Sequence, residues 1–123
     1  MFSGCTSLTE APELPAIKLA FGCYRRMFSG CTSLTKTPEL PATELDEYCY
    51  SEMFSECTSL TEVPELPATK VKNSCYKYMF SECTSLINGR KFPITKPKIN
   101  YNISYRMFSG CSSLSDEYKN YLI

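Results

Sequence analysis

The amino-acid sequence predicts an α/β fold, a right-handed solenoid of short parallel strands and short helices, and three observations carry that expectation. The pair Met-Phe recurs at Met1-Phe2, Met27-Phe28, Met53-Phe54, Met79-Phe80 and Met107-Phe108, evenly spaced except that the last interval is slightly longer. Cysteine and leucine follow in step, at Cys5, Cys31, Cys57, Cys83 and Cys111 and at Leu8, Leu34, Leu60, Leu86 and Leu114. A proline-marked half-unit then closes the first periods, as Pro12-Glu13-Leu14-Pro15, Pro38-Glu39-Leu40-Pro41 and Pro64-Glu65-Leu66-Pro67. One copy of such a unit cannot bury its apolar side alone, whereas stacked copies share a continuous core, and about three suffice. Residues 1–123 are therefore expected to form a single repeat domain with units starting near 1, 27, 53, 79 and 107 and a C-terminal cap over 115–123.

Within a period, Leu45, Cys49 and Met53 fall at i, i+4 and i+8 with Phe54 beside them, one apolar stripe of a short helix over 43–56. Thr43 is placed to cap its N-terminus. The segment Leu60 to Pro67 is too short and too rich in proline for a helix and reads as a strand leaving the turn at Ser55-Glu56-Cys57. Successive strands joined by such crossovers run parallel and pair side by side, with a right-handed connection.

Composition narrows the function. The 123 residues carry 13 basic and 13 acidic side chains, so the net charge is zero and the electrostatic footprint of a nucleic-acid partner is missing. Without histidine, the commonest general base and metal ligand are both absent, and no enzyme, metal or cofactor is expected. The apolar runs are far shorter than the roughly 18 residues a membrane span needs, and the chain opens with no signal peptide, so no membrane insertion is expected.

The full unit is C-Y-x-x-M-F-S-x-C-[TS]-S-L-x-x-x-P-E-L-P-A followed by six variable residues. This order resembles the BspA-like (Treponema-type) leucine-rich repeats, which run A-F-x-x-C-x-x-L-x-x-I-x-L-P. It departs from them by Met before Phe and by an additional Pro before Glu-Leu-Pro. The 26-residue form is similar to repeats of bacterial surface proteins, and the similarity covers the chain through Leu114. The resemblance implies a leucine-rich-repeat solenoid and a non-enzymatic module for adhesion or protein recognition. Such a module is placed at the cell surface or secreted when it belongs to a longer exported protein, with a protein or other cell-surface ligand as partner.

Each column of the repeat carries its own expectation. Phe28, Phe54 and Phe80, Cys31, Cys57 and Cys83, and Leu34, Leu60 and Leu86 are assigned to the core, although stacked phenylalanines also suit an exposed aromatic platform. The eight cysteines fit either a disulfide framework or buried thiols. Ile103 standing fourth in the column of Cys23, Cys49 and Cys75 favours packing. Tyr24, Tyr50 and Tyr76, followed by Ser104, are expected at the core margin with their hydroxyls in water, where they are candidates for partner binding.

Signs alternate down Glu10, Lys36 and Glu62, down Lys18, Glu44 and Lys70, and down Arg26, Glu52, Tyr78 and Arg106, which favours register. Glu13, Glu39 and Glu65 instead put three like charges in one column, ending in Lys91. They either fan into solvent or form an acidic strip that meets a cationic partner or Ca²⁺, and they are the leading candidates for partner binding. Met1 starts in mid-unit, so the layer of Phe2, Cys5 and Leu8 needs a cover: upstream sequence, or a second copy of the chain. That second possibility defines a rival function, a structural or assembly subunit, including a phage or virion component, that forms a homo-oligomer through its N-terminal face. Downstream, Asn88-Gly89 replaces the proline half-unit, Pro97-Lys98 is an insertion, and 115–123 read as a final capped helix.

Overall fold

The computed structural model describes residues 2–89 and 101–114. Four two-residue strands pair in parallel: β1 (Lys18–Leu19) with β2 (Glu44–Leu45), and β3 (Glu62–Val63) with β4 (Asn88–Gly89). Every pair joins equivalent positions of consecutive repeats, Lys18 to Glu44, Leu19 to Leu45, Glu62 to Asn88 and Val63 to Gly89, so each repeat lies in register on the next. A further parallel bridge, Glu44 to Lys70, extends the first ladder to a third repeat. The strand expected between Leu60 and Pro67 thus contracts to β3, because prolines have no N–H to donate and cut the ladder short.

The helix expected over 43–56 does not form. Its first residues are β2, and the rest is a chain of tight turns. Ser51, Met53, Ser55 and Cys57 each donate a backbone N–H to the carbonyl three residues back. Tyr50, Glu52, Phe54 and Glu56 donate instead across to Cys75, Lys77, Met79 and Ser81 of the next repeat. Alternate residues therefore bond within their own turn and to the neighbouring unit, which satisfies the backbone donors without the i−4 bonds of a helix.

The device that prevents the helix is a left-handed residue at every fourth position: Tyr48 (φ 60), Glu52 (φ 55) and Glu56 (φ 62), matched by Ser74, Tyr78 and Glu82 one repeat on. The i, i+4, i+8 stripe of Leu45, Cys49 and Met53 is real as periodicity, but it belongs to four-residue turns. A single helical turn, α1 (Tyr101–Ser104), occurs in the fourth repeat, where Asn102 replaces the left-handed position held by Gly22, Tyr48 and Ser74.

All the core columns turn inward. Phe28, Phe54 and Phe80, Cys31, Cys57 and Cys83, and Leu34, Leu60 and Leu86 are 0% exposed. The phenylalanine rings stack from Phe2 through Phe108 at centroid spacings of 5.5 to 5.6 Å. Asn88 still pairs with Glu62 at the ordinary repeat offset, whereas the Asn102 carbonyl accepts from Ser74 at a slightly longer one. The added residues therefore fall between Asn88 and Asn102 and leave the stack undisturbed. Lys91, the Pro97-Lys98 insertion and the expected cap over 115–123 lie outside the described residues.

Candidate binding surfaces

The proline half-unit presents its glutamates by alternation. Leu14, Leu40 and Leu66 are buried beneath the loop, and the preceding Glu13, Glu39 and Glu65 are all exposed. Glu39 and Glu65 line one groove of about 680 Å³ between consecutive loops, together with Glu62, Lys36 and Thr61. Neither of them, nor Glu13, has a cation within 4 Å among the described residues. The groove thus carries three carboxylates against one ammonium group, with proline rings stiffening its walls.

The tyrosine column requires a correction. Tyr24 is half-buried, but Tyr50 and Tyr76 are 1% and 0% exposed and stack inside the molecule, with centroids 6.3 Å and 6.1 Å apart along Tyr24, Tyr50 and Tyr76. Tyrosine occupies the same inward turn position as the following phenylalanine, and the ordered turns leave no margin for its hydroxyl to reach water. Burial holds the Tyr50 and Tyr76 hydroxyls far above their ordinary ionisation range, and Tyr76 Oη has no hydrogen-bond partner among the described residues. Any contribution of this column to a partner-facing surface rests with Tyr24.

Two of the three alternating charge columns form ion pairs. Glu44 sits between Lys18 at 3.3 Å and Lys70 at 3.2 Å, and hydrogen bonds from Lys70 and then Lys18 hold its carboxyl below the usual range. Arg26 meets Glu52 through two nitrogens at 3.1 and 3.2 Å. No such pair joins Glu10, Lys36 and Glu62, although all three are described. An additional pair absent from those columns, Lys72 to Asp46 at 3.4 Å, backs the N–H of Glu47, which is the larger cause of the lowered Asp46 carboxyl.

The cysteines are present as thiols among the described residues. Cys57 Sγ donates to the Phe28 carbonyl at 3.2 Å and Cys83 Sγ to the Phe54 carbonyl at 3.0 Å, with Cys31 and Cys111 making the same bond to Phe2 and Phe80. The thiol is thereby a weak polar clip between repeats as well as a packing group. Burial pushes the Cys57 and Cys75 thiols up to about 12. A thiol held so strongly in its neutral form is a poor nucleophile at neutral pH. Among the described residues no cluster of three or more Cys, Asp or Glu is arranged to hold a metal ion.

Sequence periodicity missed a second surface, because its residues break the columns instead of building them. Tyr48 stands where other repeats have Gly22 and Ser74, and Tyr78 where they have Arg26, Glu52 and Arg106. Both occupy left-handed turn positions and are half-buried, so part of each ring reaches the surface. Tyr48 packs against Phe21 with centroids 5.6 Å apart, and Tyr78 meets Tyr105 edge to face at 5.6 Å. A large aromatic at an otherwise polar turn position is the signal that would have identified this surface.

Comparison with protein-family models, with curated proteins and with solved structures finds no match to the chain. No helix among the described residues is long and apolar enough to cross a membrane.

Proposed function

We propose that the chain is a right-handed leucine-rich-repeat solenoid of the BspA-like type, acting as a bacterial surface module that binds a protein or cell-surface ligand and performs no catalysis. The observation that carries this reading is the convergence of exposed Glu39 and Glu65 on one groove between consecutive repeats, with no cation among the described residues paired to either. Unpaired carboxylates on a rigid repeated scaffold steer and hold a cationic segment, and the interaction weakens as salt screens it.

Replacing Glu13, Glu39 and Glu65 together by Lys tests the reading. The variant should keep the thermal melt of the parent, since all three sites are exposed, and should lose the salt-sensitive binding of a lysine-rich peptide followed by fluorescence anisotropy. Binding equal to that of the parent would reduce the strip to solvated surface.

The rival reading is a structural or assembly subunit that forms a homo-oligomer through its N-terminal repeat. Phe2, Cys5 and Leu8 are only half-buried, whereas their equivalents in the following repeat are enclosed. Light scattering on the full chain separates the two readings: a defined oligomer that Phe2→Glu dissolves would favour assembly, and a monomer would favour recognition.

A further inference from the structure

A second recess is built from a different part of the unit. Glu47 and Tyr48 of one repeat, Asn73 and Lys77 of the next, and Asn102 and Tyr105 of the one after that border an open hollow of about 460 Å³. We propose that this recess binds an anionic saccharide, a pyranose bearing a carboxylate or a sulfate group.

Among the described residues Lys77 is the cation that lines the recess, and Arg25 lies outside the lining, against the same Tyr48 ring. The Arg25 guanidinium carbon lies 5.1 Å and Lys77 Nζ 5.9 Å from the Tyr48 ring centroid, and Lys77 Nζ lies 5.8 Å from that of Tyr78. Among the described residues neither Arg25 nor Lys77 has a carboxylate within 4 Å, whereas Lys18, Arg26, Lys70 and Lys72 each do. Attraction to an aromatic face orients a cation without cancelling its charge, so Lys77 remains able to meet an anion in the recess.

Tyr48 and Tyr105 supply aromatic walls whose rings are already packed, Tyr48 by Phe21, Arg25 and Lys77 and Tyr105 by Tyr78 and Arg106, so a sugar ring meets their remaining edges, and Tyr48 is held further by a left-handed backbone (φ 60). The Asn73 carboxamide combines donor and acceptor, matching neighbouring sugar hydroxyls. Glu47 selects between anionic ligands. It accepts hydrogen bonds from hydroxyl groups, which a saccharide supplies in number beside its single charge, whereas an acidic peptide brings repeated carboxylates that Glu47 repels. A concave site with aromatic walls and a few convergent polar groups is the form that small-ligand recognition takes.

The inference is independent of the acidic strip, since reversing Glu13, Glu39 and Glu65 leaves every residue of this recess unchanged. Its test is a titration of the isotopically labelled full chain, followed by amide chemical shifts, with sialyllactose, a sulfated heparin disaccharide, neutral lactose and a glutamate oligomer. Sialyllactose or the sulfated disaccharide, or both, should shift Tyr48, Asn73, Lys77 and Tyr105, and the arm that does so identifies the anionic group. Lactose and the glutamate oligomer should leave those amides unmoved.

Lys77→Gln should weaken binding about fivefold and Tyr48→Ala about tenfold or more, with Tyr48→Phe restoring it and thermal melts unchanged. If Tyr48→Ala fails to fold, Lys77→Gln and Asn73→Ala carry the test. The proposal is overturned if neither anionic saccharide shifts these amides at about 10 mM, a concentration that detects even weak sites. It is equally overturned by lactose or the glutamate oligomer acting as strongly, or by variants that bind like the parent.

Discussion

The rings of Phe54 and Phe80, one repeat apart, lie with their centroids 5.5 Å apart and their planes 9° from parallel. Nearly parallel rings at that separation are offset, which aromatic quadrupoles favour over a face-to-face sandwich. Almost the same spacing, 5.6 Å, holds from Phe80 to Phe108 across the longest repeat, so the stack keeps its geometry when the repeat length changes.

Removing a ring from the middle of that stack leaves a cavity that neighbours on both sides cannot fill. Phe54→Ala or Leu60→Ala should cost about 2–5 kcal/mol in urea-induced unfolding. Phe2→Ala should cost less, because Phe2 is already half-exposed. Equal losses at Phe2 and Phe54 would contradict a core whose end layer is open.

The left-handed turn position makes a prediction of opposite sign. Gly4, Gly30, Glu56, Glu82 and Gly110 occupy equivalent places, all with positive φ between 62° and 78°. A side chain there costs about 1–2 kcal/mol, of which the greater freedom of glycine in the unfolded chain returns part. Glu56→Gly should therefore stabilise the fold by up to about 1 kcal/mol, and Gly30→Ala should destabilise it by a similar amount. A stabilised Gly30→Ala in thermal unfolding would refute the role assigned to this position.

Much of the molecule was legible because its core is columnar. The even recurrence of Met-Phe places Phe28, Phe54 and Phe80 in one stack, and the same period gives the parallel register of Lys18 with Glu44. What the spacing of Leu45, Cys49 and Met53 could not distinguish was a helix from a run of four-residue turns, since both repeat every fourth residue. The difference lies in backbone sign at Tyr48, Glu52 and Glu56, and glycine at only some equivalent positions was too faint a sign of it. The enclosure of Tyr50 and Tyr76 was hidden for a related reason: Ser104 in their column suggested water, yet Ser104 is itself buried. The exposure of Glu13, Glu39 and Glu65 was legible as three like charges in one column, whereas Tyr48 and Lys77 come together only through the stacking of different repeats.

Tyr76 offers a hydroxyl that can be removed without loss. Its Oη is buried and has no hydrogen-bond partner among the described residues, a state that costs about 1–3 kcal/mol relative to a satisfied group. Tyr76→Phe should raise stability by about 1 kcal/mol with the stack against Tyr50 retained. A drop of similar size in urea unfolding would show that the hydroxyl is satisfied in solution.

Alkali should unfold the protein through its buried thiols. Burial raises the thiols of Cys49, Cys57, Cys75 and Cys83 above their ordinary 9.0, to about 12 for Cys57 and Cys75. The unfolded chain releases these protons near pH 9 while the folded chain keeps them, so the unfolded state binds fewer protons and stability falls as pH rises. The contribution is complete below pH 9 and erodes between pH 9 and about 12, at up to about 1.4 kcal/mol per pH unit for each thiol. Glu44 and Asp46 act at the other end: their lowered carboxyls favour the folded state above the unfolded carboxylate range and lose that contribution as pH falls through the folded values. Both carboxylates are solvent-accessible, so the acid limb should be shallow and weakened further by salt. Urea midpoints measured from neutral pH upward should therefore fall steeply above pH 9, and Cys75→Val should flatten that fall by the share of one thiol. An unchanged slope in Cys75→Val would mean that this thiol ionises in the folded chain as readily as in the unfolded one, and that the repeat interior admits water at the cysteine column.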